Sequence, residues 1–327
     1  MHADATEAPS AALRTLLRSL GQIVLQPNAF TGACLLAACL LADPRLACAA
    51  LMGAISANVS AILVVDRDDQ AADDPLRAGL HGFNGALAGL AAFSFIADSA
   101  TAAAVTILAA TGTAWLLNPM SRWLRAHGLG YFSSPCLVVT WLWLPMFASG
   151  ASPASPGPAS AVNTLDVLRL SNGLLAGFAQ TGFASGAVPG LLVLIGIAAA
   201  SRKHAFAALT GAALASAAHL LLHASVNSFD AGLLGFNGAL TALALADWGV
   251  ASVLGGVAVS VALQAATTHF GWPAMTAPFV VATWSVQWLR QRIRRGAIAP
   301  EPVERMEAEP VITTSTQRQP RPARTLV

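Results

Sequence analysis

Eight long stretches of this chain carry no Asp, Glu, Lys or Arg: residues 19–42, 46–65, 78–97, 99–121, 126–165, 170–201, 204–229 and 248–289. Each is near or above the ~20 residues that a helix needs to cross a ~30 Å hydrocarbon layer. Composition agrees. The chain is 55% hydrophobic and 10% charged, against about 45–50% and about 25% in soluble domains, which leaves too little polar surface to wet a globule of this size. The chain reads as an all-α integral membrane protein. A lone Asp or Arg, or the "GWP" break at Gly271 to Pro273, separates several of the stretches. The expected count is therefore eight to ten spans plus shorter pieces.

The ends of the chain set its orientation. Met1 to Ser10 holds acids and a proline, and no short apolar core with a small-residue cleavage site follows the arginines, so no secretory signal is expected. Arg14 and Arg18 precede the first span, and Arg290, Arg292, Arg294 and Arg295 follow the last. By the positive-inside rule both termini should be cytoplasmic, which requires an even number of crossings. The net charge of +2 gives no reason to expect nucleic acid. Cys34, Cys39, Cys48 and Cys136 show no CxxC spacing, and buried packing is their default role. After Gly296 the chain is polar and Pro-rich, the composition of a disordered tail.

The chain also contains itself twice. "GFNGALAGLA", from Gly82, returns nearly unchanged as "GFNGALTALA", from Gly235. Two further phrases recur in the same order: "SLGQIVLQPNAFTG" (19–32) parallels "GFAQTGFASGAVPG" (177–190), and "SSPCLVVTWLWL" (133–144) parallels "TAPFVVATWSVQWL" (276–289). Between the halves lies "ASGASPASPGPASAVNT", where Pro153, Pro156 and Pro158 each remove a helix donor. The expected segments are an N-terminal cytoplasmic segment 1–18, a first repeat 19–147, a linker 148–165, a second repeat 166–295 and a tail 296–327. If an even number of crossings is shared equally and each half holds five, the second half enters from the opposite side. The repeats are then inverted, with a solute site where they meet near the bilayer midplane.

Charged residues inside a bilayer usually mark ion or proton paths, and here Asp98, Asp230 and Asp247 sit only at the edges of apolar stretches. That favours passive transfer of something neutral over an ion-coupled pump or a cation channel. The repeated phrases supply, once per half, an amide (Gln22, Gln180), an aromatic with a leucine four residues on (Phe83 with Leu87, Phe236 with Leu240) and a hydroxyl (Thr140, Thr283). Phe and Leu at that spacing share a helix face and can form one wall; alone, such a pair is more often core packing. Asn84 and Asn237, beside them, must find hydrogen-bond partners in a dry environment. His219 and His223 in "HLLLH" share a face but lack an acidic or cysteine third ligand, so polar helix contacts are favoured over a metal site. No phosphate loop, nucleophile elbow or paired catalytic carboxylates are found in the sequence, so it reads as non-enzymatic and without a cofactor.

At these residues the sequence resembles the urea transporter family, whose halves each carry a "GQ…NP.(S/T)G" motif, a "G(Y/F)N" phrase and a "P(F)…(A)T" phrase. The matches are "GQIVLQPNAFTG", "GFNGALAGLA" and "SPCLVVT", then "AQTGFASGAVPG", "GFNGALTALA" and "APFVVAT". They span 19–290. Two departures stand out: "SGAVPG" lacks the Asn-Pro, and Leu25 stands where some relatives have an aromatic. The resemblance implies a homotrimer in the cell membrane, plasma or inner, with one pore per protomer. It further implies ten transmembrane helices plus two tilted half-helices, and passive urea flux. Carried onto matching positions, Gln22, Leu25, Phe83 and Leu87 line one slot. Gln180, Phe183, Phe236 and Leu240 line its partner, and Thr140 and Thr283 flank the midpoint. The alternative is a channel for another small neutral solute such as ammonia, water or a short amide.

Overall fold

A computed structural model describes residues 7–64, 79–148 and 166–297 of the chain. Among these residues every regular element is helical. The first half runs α1 (Glu7–Gly21), a 3-10 turn (Gln22–Val24), α2 (Ala29–Ala42), α3 (Pro44–Val64), α4 (Gly82–Phe95), α5 (Ser99–Ala126) and α6 (Ser134–Ala148). The second runs α7 (Val167–Gln180), α8 (Ala187–Ala200), α9 (Arg202–Leu221), the short α10 (Val226–Asp230), α11 (Phe236–Leu245), α12 (Val250–His269) and α13 (Ala277–Ala297). The linker expected at 148–165, apart from its first residue, and most of the tail lie outside the described residues. The N-terminal boundary drawn at residue 18 falls inside α1, because the helix begins at Glu7 and carries straight on to Gly21.

Polar side chains start several helices where the sequence offers them. Asn28 accepts hydrogen bonds from the N–H groups of Phe30 and Thr31 at the start of α2, Asp98 from Thr101 at α5, and Asp166 from Arg169 at α7. Each fills an N-terminal donor that the helix itself leaves open. Among the described residues four helices, α3, α5, α9 and α12, are long and apolar enough to cross a membrane, or up to five spans if a bent pair counts as one. That pair, 11–24 with 29–42, bends by 75° at the Gln26-Pro27 break. Fewer helices pass as single spans than the eight to ten read from charge-free runs. The reason is local: Pro27, the glycine at 186 and the "GFN" turns cut long apolar runs into shorter helices such as α2, α4 and α8.

Helix contacts follow the duplication. Gly53 on α3 meets Gly85 on α4 backbone to backbone, and Gly211 on α9 meets Gly238 on α11 in the same way, so that a Cβ on any of the four would strike the opposing chain. Only glycine lets these helix axes come so close. The halves are joined through α2 and α8, where the Thr31 hydroxyl donates to the Gly196 carbonyl at 2.7 Å. They are joined again by a reciprocal pair of indoles. Trp141 on α6 donates to the Pro273 carbonyl at 3.1 Å, and Trp284 on α13 donates to the Gly130 carbonyl at 2.6 Å. Each half thus holds the loop that leads into the other half's last helix.

Candidate functional site

The unusual backbone angles recur in pairs along the two halves. Leu25 and Phe183 are both left-handed at φ 58°, Phe132 and Met275 at 44° and 45°, Gly79 and Gly232 at 78° and 77°, and Gly128 and Gly271 at 67°. A non-glycine residue at positive φ is uncommon and tolerated only where its surroundings hold it. The Leu25 N–H reaches back to the Gln22 carbonyl at 2.9 Å and the Phe183 N–H to the Gln180 carbonyl at 3.1 Å. Both glutamines therefore sit just before a tight turn that ends their helix and points the next side chain aside.

Asn84 and Asn237 find their partners across the same kind of turn. Asn84 donates to the Phe132 carbonyl at 3.2 Å and accepts from the Cys136 N–H at 3.1 Å. Asn237 donates to the Met275 carbonyl at 3.1 Å and accepts from the Phe279 N–H at 3.3 Å. Each asparagine clips a left-handed residue to the first turn of the last helix in its own half, satisfying groups that would be orphaned at a buried helix start. Asn237 has a third bond, donating to Gln264 at 3.0 Å.

Around these turns lie two adjoining cavities. A narrow one, about 10 Å³, is lined by Gln22, Leu25, Phe83 and Leu87 of the first half together with Leu240 of the second. Ser133, Ile23, Thr181, Thr276 and Phe279 complete its wall. The larger, about 390 Å³, takes in Gln180, Phe183 and Phe236, with Asn237, Gln264 and Trp272 among its other walls. Phe95 of the first half stands edge-on to Phe183, ring centres 6.4 Å apart, and borders the same space. Phe83, Leu87, Phe236 and Leu240 are all buried. Eight of the ten residues singled out in the sequence thus border one of these two spaces.

Thr140 and Thr283 are placed differently. Both are fully buried and border neither cavity. The Thr283 hydroxyl donates to the Phe279 carbonyl at 2.8 Å, and the Thr140 hydroxyl lies 3.7 Å from the Cys136 sulfur. Residues the sequence reading passed over include Ser133, Thr181, Thr276, Gln264 and Trp272. A signal existed for two of them, since Ser133 and Thr276 are the first letters of the matched phrases.

The charged residues stay at the edges. Arg169 pairs with Asp230 at 2.7 Å and Lys203 with Asp247 at 2.6 Å, where Asp247 is exposed. The Lys203 hydrogen bond holds the Asp247 carboxyl below the ordinary carboxylate range, and the Thr101 side chain does the same for Asp98. His219 is buried and its Nδ1 bonds the Ala215 carbonyl at 2.8 Å. Among the described residues no group of three or more His, Cys, Asp or Glu side chains is arranged to hold a metal ion.

The family model described as urea transporter matches residues 13–291. The chain belongs to the urea transporter family. It is accordingly a multi-pass membrane protein of a family of transporters and channels rather than enzymes, and membership points to urea transport. A comparison with individually curated proteins returned no match.

Proposed function

We propose that the chain is a passive, channel-type urea transporter. Two inverted repeats, each of five crossings and one tilted half-helix, enclose a pore between them. The observation that carries this reading is the pair of adjoining cavities, one bordered by Gln22, Leu25, Phe83 and Leu87 and the other by Gln180, Phe183 and Phe236. Leu240 contributes to the first from across the interface. The matched positive-φ turns support a duplicated frame behind them.

Urea is flat and uncharged, with N–H donors in its plane and one carbonyl acceptor. It needs apolar surfaces against its faces and acceptors at its edges. Phe and Leu supply the first, while the glutamine oxygens and nearby backbone carbonyls supply the second. Hydrated ions gain nothing from such walls, because apolar side chains cannot replace their water shell. Thr140 and Thr283, one turn beyond Cys136 and Phe279, flank the midpoint. The assembly is a homotrimer in the cell membrane, surrounded by lipid, with one pore per protomer and both termini cytoplasmic.

Stopped-flow uptake into proteoliposomes tests the reading. Urea should equilibrate fast, without saturating at low concentration and without response to membrane potential or a proton gradient. Gln22→Leu or Gln180→Leu should each slow urea by about tenfold, the loss of one or two hydrogen bonds at the barrier. Flux that needs an ion gradient overturns the channel. Ammonia or water passing while urea does not would move the assignment to another neutral solute. Normal urea flux in both glutamine variants removes the slot.

A further inference from the structure

The end of α13 reads "QWLRQRIRR" from Gln287. Gln287, Arg290, Gln291 and Arg294 are spaced three and four apart, so they share one helix face. The matched stretch at the end of α6 carries Leu144, Phe147 and Ala148 instead, so this polar face occurs once per chain. Its two amides hold the loop that leads into α6. The Gly130 N–H donates to the Gln287 side-chain oxygen at 3.0 Å, and the Gln291 side-chain nitrogen donates to the Gly128 carbonyl at 2.7 Å. Its two arginines are not engaged in this way. Arg290 lies against the ring of Trp248, 4.9 Å from its centre, in the 3-10 turn Ala246–Trp248 that follows α11. Among the described residues neither Arg290 nor Arg294 reaches a carboxylate.

Between that turn and the helix lies a cavity of about 300 Å³, lined by Asp247, Trp248, Gln287, Arg290, Gln291 and Arg294. The Asp247 carboxylate is already met by Lys203 at 2.6 Å and by the His204 ring at 3.4 Å, so the pocket keeps a surplus of positive charge. A guanidinium held over an aromatic face keeps its N–H donors for an anion, and its planar fork matches two oxygens of a phosphate. The surroundings say what kind of phosphate. The charge-free stretch 248–289 is followed directly by Arg290, which puts the pocket where a bilayer passes from hydrocarbon to headgroups. Leu289 and Ile293, each one position before an arginine of the pocket, are exposed. A free anion has no use for apolar side chains beside its arginines, whereas an amphiphile does. We propose that this pocket binds an anionic phospholipid, with its phosphate between Arg290 and Arg294 and its acyl chains along Leu289 and Ile293. The headgroup ties α13 to the turn behind α11, on the same helix face that holds the loop into α6.

Thermal unfolding of the full chain in detergent, titrated with phosphatidylglycerol or phosphatidylcholine, tests this. Phosphatidylglycerol should raise the unfolding midpoint of the parent well above the rise given by phosphatidylcholine, and inorganic phosphate should not reproduce it. Arg290→Gln with Arg294→Gln should raise the half-saturating lipid concentration by about thirtyfold, the loss of two arginines at a membrane surface. Arg292→Gln with Arg295→Gln removes the same charge from the same helix end but outside the pocket, and should change it by about threefold or less. Arg294→Gln alone, at an exposed position, should cost about fivefold and serves if the first double variant does not fold. Equal rises from both lipids, or equal losses in the two double variants, overturn the pocket. So does a rise from inorganic phosphate as large as that from the lipid, which makes the ligand a free anion. A parent that responds to phosphatidylglycerol only after Glu301→Gln and Glu304→Gln has its own acids in the pocket, which overturns the lipid as well.

Discussion

Leu25 and Phe183 hold the same left-handed backbone position, φ 58° in each, three residues past Gln22 and Gln180. Yet the cavity beside Leu25 is about 10 Å³ and the one beside Phe183 about 390 Å³. The frame is duplicated and the walls are not. Backbone turns, glycine contacts and asparagine clips repeat because they satisfy main-chain groups, and main-chain groups are the same in both halves. Cavity shape follows from side chains, and these differ where it counts: Ile23 against Thr181, Leu25 against Phe183, Ser133 against Thr276. The second half also brings Gln264 and Trp272 to its larger space. Duplication therefore conserved the scaffold and left each wall free to diverge.

The strongest way to break this comparison is at the asparagine clips. Asn84→Leu should orphan the Phe132 carbonyl and the Cys136 N–H, at about 1–3 kcal/mol per buried group. Asn237→Leu should cost more, because the Gln264 side-chain oxygen loses its donor as well. Thermal unfolding in detergent checks this. A smaller loss for Asn237→Leu than for Asn84→Leu would mean the clips are not equivalent devices.

A smaller effect is expected from exchanging wall residues. Thr181→Ile copies what the first half carries at the matched position, and should slow urea by about threefold through loss of a polar group where the two cavities meet. Ile23→Thr should speed it or leave it unchanged. If Ile23→Thr slows urea while Thr181→Ile does not, the divergence between the walls has been read backwards.

The smallest effect belongs to the edge ion pairs. Asp247 is held by Lys203 below its ordinary range, so its contribution is present above the unfolded carboxylate pKa and fades as pH falls through the lowered folded one. With side-chain exposures of 62% and 67% for Lys203 and Asp247, solvent screening leaves about 0.5 kcal/mol or less. Asp247→Asn should barely move the unfolding midpoint at about pH 7. A shift as large as that of the asparagine variants would place this pair among the main supports of the fold.

Much of this was legible in the sequence because it is written as repeats. Gln22, Gln180, Phe83 and Phe236 recur beside glycines and prolines that break helices, so their local setting could be read. The direction of a side chain on a buried helix could not. Thr140 and Thr283 follow matched prolines at equal distance, yet helices apolar on every side carry no amphipathic stripe to say which face meets the other half. Ser133 and Thr276 stood in plain view as the first letters of matched phrases. What joined them, hydroxyl to hydroxyl at 2.8 Å, was the tertiary approach of the two halves, which periodicity does not encode. The bend at Gln26-Pro27 was visible as a break, but its angle was not.

The indoles of Trp141 and Trp284, each anchored on the opposite half's loop, have a mechanical consequence. A carrier that rocks one repeat against the other would have to release both anchors and remake them on every cycle. Crosswise stitching of this kind suits the channel reading proposed above, in which both halves stay fixed while solute passes.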